Sequence, residues 1–148
     1  MELSVYELSP ERLGRFDFVF IGNILLHVRD PVGALGAART VLDGELLSVD
    51  VVSLLATPTS PFAPSALLSR RNVPYWWIPN LSAYRAYFGK AGFELLDSGR
   101  PFFIPFGEGY PERPPLARLM RSPRLLFFWA VVRRLGAPTA WARVRPRS

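Results

Sequence analysis

The chain has 148 residues, enough for one domain with one core, and 49% of them are hydrophobic, which argues against an intrinsically disordered protein. It has no cysteine and one histidine, which excludes a disulfide scaffold, a thiol nucleophile and a metal site of clustered histidines. The net charge of +6 is uneven, because residues 113–148 carry nine arginines and no acid, whereas the preceding residues carry nine basic and twelve acidic side chains.

The sequence shows neither a secretory signal peptide nor a membrane-spanning segment. The segment Met1–Leu8 mixes acidic with apolar residues, unlike a secretory signal peptide. The longest apolar run, Leu125–Val132, has eight residues, whereas a membrane-spanning helix needs about 20. We therefore expect a cytoplasmic protein.

The first 104 residues alternate between predicted strands and helices, as in an α/β protein with a parallel sheet. Phe16–Ile21 is a short run of apolar, β-branched and aromatic residues, typical of a central parallel strand covered on both faces. Asp30-Pro31 predicts the start of a helix, and Asp43-Gly44 predicts its end. The other predicted elements are a strand end at Val5–Tyr6, a helix start at Ser9, a strand over Glu45–Ser53, a short helix over Ser65–Arg71, a helix that Ser82 caps and Gly92 ends, and a strand over Phe93–Asp97.

The remaining residues break this alternation. Residues 105–138 hold a Gly/Pro-rich loop and a helical stretch, Leu116–Leu135. Residues 139–148 predict one last strand, Thr139–Val144, and a tail that frays. A strand that returns after a long insertion suits an antiparallel edge strand. The chain is therefore divided into residues 1–104, the insertion 105–138, and the strand and tail 139–148.

The basic apolar helix of the insertion has two interpretations. In one, it lies in a membrane interface with its arginines on lipid phosphates. In the other, it packs on the sheet and its arginines extend into water. The stretch is apolar all round rather than amphipathic, which favours packing over peripheral membrane contact.

Three segments carry a resemblance to a known family. Phe16–Pro31 resembles the fourth-strand region of class I S-adenosylmethionine-dependent methyltransferases, with an aspartate near the strand start, an apolar strand, a Leu-His pair and a following helix. Glu45–Asp50 resembles the fifth strand, and Tyr75–Asn80 followed by Ala91-Gly92-Phe93 is similar to the segment before the sixth. The most similar branch is the tRNA wobble-uridine methyltransferase and carboxymethyltransferase type.

The resemblance covers about residues 3–100 and implies a Rossmann-like sheet of strand order 3-2-1-4-5-7-6. It also implies S-adenosylmethionine as cofactor, bound at the carboxyl ends of the strands. The glycine-rich turn of the family's first strand has no counterpart, because residues 3–100 contain no Gly-x-Gly cluster. Tyr6 would belong to the third strand. We therefore expect an N-terminally truncated sheet of strands three to seven, with the missing half lost or supplied by a second chain.

The resemblance assigns four residues to the cofactor. Leu8 and Ser9 would follow the third strand and lie against the adenine, whereas Ser9 on its own also predicts a plain helix cap. Gly22 and Asn23 end the fourth strand, where open α/β sheets bind ligands. A simple turn is the alternative for this pair. No metal site is expected.

His27 is the candidate catalytic residue. Its side chain is the only one that titrates near neutrality unperturbed, so it is suited to position an acceptor or to remove its proton. A packing histidine after an apolar run is the alternative. Methyl transfer depends mainly on alignment and desolvation, so the lack of an acid–base pair does not exclude it.

Five residues are candidates for binding the methyl acceptor. Arg29 and Arg71 carry forked donors that suit a phosphate or a carboxylate. Tyr75, Trp76 and Trp77 lie in a proline-flanked turn, which suits stacking on a planar substrate. A solvated surface is the alternative for the arginines, and packing in the core is the alternative for the aromatic residues.

The expected function is methyl transfer from S-adenosylmethionine to an unidentified acceptor, tRNA or a small molecule, impaired in this chain alone. The alternative is a non-catalytic remnant or interaction module whose basic C-terminal helix binds a membrane or an acidic partner. The strand Phe16–Ile21 lacks a neighbour on one side if the first strands are missing. We therefore also expect self-association through an exposed sheet edge.

Overall fold

The structure is a computed structural model that describes residues 3–69, 74–107, 120–121 and 123–147. Arg71 and most of the predicted loop of residues 105–115 lie outside the described residues. Two 3₁₀ turns, Val5–Glu7 and Leu25–His27, accompany the longer elements. The helices are α1 (Pro10–Leu13), α2 (Pro31–Thr40), α3 (Ala56–Thr59), α4 (Leu81–Lys90) and α5 (Pro123–Leu135); the strands are β1 (Phe16–Gly22), β2 (Leu42–Val51), β3 (Ala66–Leu68), β4 (Trp77–Pro79), β5 (Phe93–Ser98), β6 (Phe102–Ile104) and β7 (Ala137–Pro146).

The main sheet is mixed, which confirms the predicted α/β class. Its order is β1-β2-β7-β5, and β6 also pairs with β7. β1 and β2 are parallel, with Gly22 opposite Val49. β7 runs antiparallel to β2, β5 and β6. β3 and β4 form a separate antiparallel hairpin.

The antiparallel strand does not lie at the edge of the sheet, so that prediction was wrong. β7 is hydrogen-bonded on both sides, to β2 and to β5 with β6. Its alternate residues Ala140, Ala142 and Val144 are fully buried, and small or branched side chains of this kind let a central strand pack beneath helices. The interior position agrees with the strand order that the resemblance implied.

One face of the sheet carries the core. Helices α2 and α4 contact each other, and they share a single buried cluster with β1, β2, β5 and β7. Asp30 caps α2, because its carboxylate accepts the amide of Gly33 at 2.8 Å. The largest fully buried apolar side chains of this cluster are Leu35, Leu46, Tyr84, Phe88 and Phe93.

Several local predictions were wrong. Val5–Tyr6 belongs to a 3₁₀ turn rather than to a strand, because Ser4 and Glu7 form a reciprocal capping box around it. The predicted helix Ser65–Arg71 contains strand β3 over its described residues. The predicted fraying of the tail is not seen as far as Arg147. The last strand extends to Pro146, and the amide of Arg147 donates to the carbonyl of Gly92 at 2.9 Å.

The described part of α5 is a helix of 13 residues. No helix within the described ranges is long and apolar enough to cross a membrane. The side chains of Leu126 and Leu135 are exposed, and that of Trp129 is partly buried. Whether this helix contacts a lipid surface stays a prediction.

Asn80 rather than Ser82 caps α4. Its side-chain oxygen accepts the amides of Ala83 at 2.8 Å and Ser65 at 3.2 Å. Its amide group donates to the carbonyls of Ser60 at 2.8 Å and Ala63 at 2.9 Å. All four bonds are made by a fully buried side chain. Asn80 therefore ties the loop that precedes β3 to the start of the helix.

We expect Asn80→Ala to lower the free energy of unfolding by roughly 1–3 kcal/mol, because it removes a cap and the part-buried hydrogen bonds to the carbonyls of Ser60 and Ala63. Ser82→Ala is the matched control and should change it by less than about 0.5 kcal/mol. Urea unfolding followed by circular dichroism measures both. Equal effects of the two substitutions would show that Asn80 is not the cap.

β1 leaves an apolar face uncovered. Phe16, Phe18 and Phe20 alternate along this edge strand of the described sheet and are 43%, 56% and 59% exposed. Alternate residues of a strand share one face. A strand edge of this kind, which carries neither Lys nor Pro, favours pairing with another chain.

We expect the molecular mass in solution to rise with protein concentration, because β1 can pair with a β1 of a second copy. Phe18→Lys should abolish the rise, since it places a charge in the paired ladder. Phe62→Lys is the control, because Phe62 is 94% exposed but lies outside the strands. Chromatography with light scattering makes the measurement, and a monomer at every concentration would contradict the expectation.

Candidate functional site

The candidate site lies where the parallel strands β1 and β2 end. Gly22 is the last residue of β1 and Asn23 follows it, and Asp50 lies next to the last residue of β2. Because the two strands are parallel, their carboxyl ends meet at one edge of the sheet, which is where open α/β sheets bind ligands.

Asn23 holds an unusual backbone conformation at this edge. Its φ angle is +52°, the only positive value of a non-glycine residue in the described parts of the chain. Asparagine tolerates the left-handed region better than most residues. The amide of Asn23 donates to the carbonyl of Val49 at 2.8 Å, which fixes the turn after Gly22. Such conformations are concentrated at functional sites.

Asp50 anchors the next turn. The side chain is buried, and its carboxylate accepts the amide of Leu25 at 2.7 Å and that of Val51 at 2.9 Å. Burial raises the pKa of Asp50 to about 6, because the hydrogen bonds from backbone amides only partly replace lost hydration. Asp50 thereby holds the 3₁₀ turn Leu25–His27 against the end of β2.

The pKa values of two tyrosines of α4 are raised by burial and by the same carboxylate. The hydroxyl of Tyr84 donates to the carbonyl of Ser48 at 3.0 Å. Burial raises the pKa of Tyr84, and the negative charge of Asp50 raises it further. Burial and then the same charge raise the pKa of Tyr87. Asp50 was missed in the sequence, although an acid inside the apolar run Leu46–Val52 was a signal for it.

His27 is exposed, and its ring is oriented by one hydrogen bond. Its Nδ1 lies 2.6 Å from the carbonyl oxygen of Pro74. A carbonyl only accepts, so Nδ1 carries the proton and the Nε2 of the neutral ring presents a lone pair. The amide of Trp76 also donates to the carbonyl of Leu26 at 2.7 Å. These bonds join the turn after β1 to the segment before β4.

The structure brings most of the predicted substrate residues together around this turn. The indole Nε1 of Trp77 donates to the carbonyl of Arg29 at 2.8 Å. The guanidinium carbon of Arg29 lies 4.7 Å from the ring centroid of Trp76. Tyr75 lies next to Trp76 in the chain and is partly buried. Arg71 lies outside the described residues.

Leu8 contacts the last residue of α2, and Ser9 contacts the first turn of α1. The carbonyl of Leu8 accepts the hydroxyl of Thr40, the last residue of α2, at 3.2 Å. Ser9 is the N-cap residue of α1, but its hydroxyl bonds the carboxylate of Glu11, which lowers the pKa of Glu11, instead of capping the helix. The hydroxyl of Tyr6, two residues before Leu8, accepts the amide of Asp30 at 3.0 Å. The assignment of Leu8 and Ser9 to the adenine stays a prediction.

The comparisons with known proteins show structures of similar fold, but no family model or curated sequence that matches. The magnesium protoporphyrin IX methyltransferase of Synechocystis PCC 6803 with bound SAH is similar, with a TM-score of 0.54 and 12% identity over 100% of this chain and 50% of that one.

Two further structures share the fold. One is the O-methyltransferase of a trans-AT PKS multienzyme from Brevibacillus brevis in complex with S-adenosyl-L-homocysteine, with a TM-score of 0.52 and 12% identity over 89% of this chain and 44% of that one. The other, from Listeria monocytogenes, is assigned as an S-adenosylmethionine-dependent methyltransferase, with a TM-score of 0.56 and 9% identity over 99% of this chain and 68% of that one. The chain thus has the Rossmann-like methyltransferase fold and spans about half to two thirds of the length of these proteins.

The buried carboxyl of Asp50 predicts a pH dependence of stability. Its pKa is about 6 in the folded chain, against an ordinary value of 3.8 for a solvated aspartate. Its contribution is therefore fully present below about pH 4 and is lost as the pH rises through 6. The free energy of unfolding of the wild type relative to Asp50→Asn should fall by roughly 3 kcal/mol between pH 4 and pH 8. Urea unfolding at several pH values measures it, and a constant difference would show that Asp50 does not titrate in this window.

Proposed function

We propose that this chain is part of an S-adenosylmethionine-dependent methyltransferase and that it carries the acceptor side of the active site. The observation that supports this is the fold shared with two methyltransferases that hold S-adenosylhomocysteine. The residues at the sheet edge fit such a ligand, because Gly22 has no side chain and the strained Asn23 exposes the backbone there. We further propose the cytoplasm as its location.

S-adenosylmethionine, when bound, supplies a methyl group on a sulfonium. The proposed task of this chain is to hold the acceptor in line with that methyl group and to exclude water. His27 is the residue that takes up the acceptor's proton, because its Nδ1 is engaged with Pro74 and its Nε2 presents a lone pair. Arg29, Trp76 and Trp77 would position the acceptor.

The chain alone should bind the cofactor weakly. Residues 3–100 contain no Gly-x-Gly cluster, which in the methyltransferases that the chain resembles approaches the cofactor. The chain also spans about half of two of the similar structures. Impaired activity of this chain alone is therefore part of the proposal. We also propose that the chain belongs to the tRNA wobble-uridine branch, and its arginine-rich composition supports this.

A second candidate is an interaction module without activity. The uncovered face of β1, with Phe16, Phe18 and Phe20, is the observation that favours it. The two candidates differ in one respect that is measurable on this chain. A methyltransferase domain binds S-adenosylhomocysteine at the carboxyl ends of β1 and β2, whereas an interaction module does not.

We expect S-adenosylhomocysteine to shift the amide NMR signals of residues 22–27 saturably, with a dissociation constant of about 0.1–1 mM, or roughly −4 to −5.5 kcal/mol. Adenosine triphosphate is the matched control for the adenosine portion and should shift these amides less. Additional shifts at Leu8 and Ser9 would confirm the predicted adenine contact. Saturable binding that leaves residues 22–27 unshifted, or no binding at all, would contradict the proposed function.

A further inference from the structure

The guanidinium of Arg29 lies over an aromatic ring beside the candidate site. It stacks over the ring of Trp76 at 4.7 Å, and the carbonyl of Arg29 accepts the indole of Trp77 at 2.8 Å. Both contacts fix the arginine on the segment that carries β4. A stacked guanidinium keeps its N–H donors at the edge of the plane, where they remain available for an anion.

Arg29 has no carboxylate partner among the described residues. The ion pairs found there use four other arginines, namely Arg12, Arg15, Arg143 and Arg145. The acids nearest in the chain or in the site are engaged with backbone amides, Asp30 with Gly33 and Asp50 with Leu25. The exposed guanidinium of Arg29 is therefore open to an anion from outside this part of the chain.

Apolar side chains continue the surface beyond Arg29. Leu67 pairs with Ile78 across the β3–β4 hairpin, and Trp76 lies two residues before Ile78. Because alternate residues share a face, Leu67 and Trp76 are diagonal neighbours on one face of the hairpin. Leu67 is 53% exposed and Trp76 is 40% exposed. A positive group thus adjoins an uncovered apolar strip.

We propose that the surface of Arg29, Leu67 and Trp76 binds a soluble amphipathic anion, with a carboxylate on Arg29 and an apolar body over Trp76 and Leu67. The single fixed guanidinium suits one head group, and the strip of two side chains suits one chain or ring rather than a bilayer. That this molecule is the methyl acceptor rests on the proposed function. Its binding does not, since no part of this surface includes Gly22 or Asn23.

The test is calorimetric titration of the full chain with decanoate below its micellar concentration, in the absence of any methyl donor. Decan-1-ol lacks the charge and acetate lacks the apolar body, so each should bind at least roughly tenfold more weakly. Arg29→Gln should lose about tenfold in affinity for decanoate, and Leu67→Asp should lose a similar amount. Arg12→Gln is the matched control, because Arg12 is an exposed arginine beside Glu7, and it should bind as the wild type does.

Equal binding of decanoate and decan-1-ol, or unchanged binding by Arg29→Gln, would overturn the inference. So would binding to phosphatidylglycerol vesicles in the absence of binding to monomeric decanoate, which would assign the surface to a lipid membrane. Titration with S-adenosylhomocysteine separates the two proposals. Binding of decanoate without binding of S-adenosylhomocysteine would support this surface and contradict the methyltransferase function. Binding of S-adenosylhomocysteine without binding of decanoate would contradict only the proposed surface.

Discussion

The carboxylate of Asp50, buried beneath the carboxyl end of β2, is the group on which the geometry of the candidate site depends. Its pKa of about 6 shows that lost hydration outweighs the hydrogen bonds that it accepts. The bond to Leu25 fixes the turn that carries His27. Since Leu26 in that turn accepts the amide of Trp76, one buried acid orients both the histidine and the aromatic segment. Burying this carboxylate costs free energy of hydration, but its hydrogen bonds select one conformation of the turn that apolar packing alone does not determine.

The sheet is asymmetric, and this asymmetry bears on function. Helices α2 and α4 cover one face and bury the core there, while Phe16, Phe18 and Phe20 remain exposed along β1. The described chain therefore combines part of a methyltransferase fold with an uncovered apolar edge. A chain that spans about half of two of the similar structures would bury such a face by pairing, which is the expected route to self-association.

Periodicity in the sequence predicted the regular elements well. Phe16–Ile21 became β1, and the capped stretch after Asp30 became α2. Three residues are too few to show a period, so Ala66–Leu68 resembled a helix although it pairs with β4. The interior position of β7 depends on pairing between distant residues, which local patterns do not contain. At the site, residue type identified His27, Arg29 and Trp76 as candidates. The partners that orient these side chains, including the carbonyl of Pro74 and the carboxylate of Asp50, required the fold.

Amide hydrogen exchange tests most directly whether Asp50 organises the site. We predict that the amides of Leu25 and Trp76 are protected in the wild type and exchange at least about tenfold faster in Asp50→Ala. The amide of Val144, in the interior strand β7, serves as the internal reference for global stability and should keep its protection. If Leu25 and Trp76 keep their protection in Asp50→Ala, or lose it only in parallel with Val144, then the turn is held by the general packing of the fold and the central role of Asp50 is contradicted.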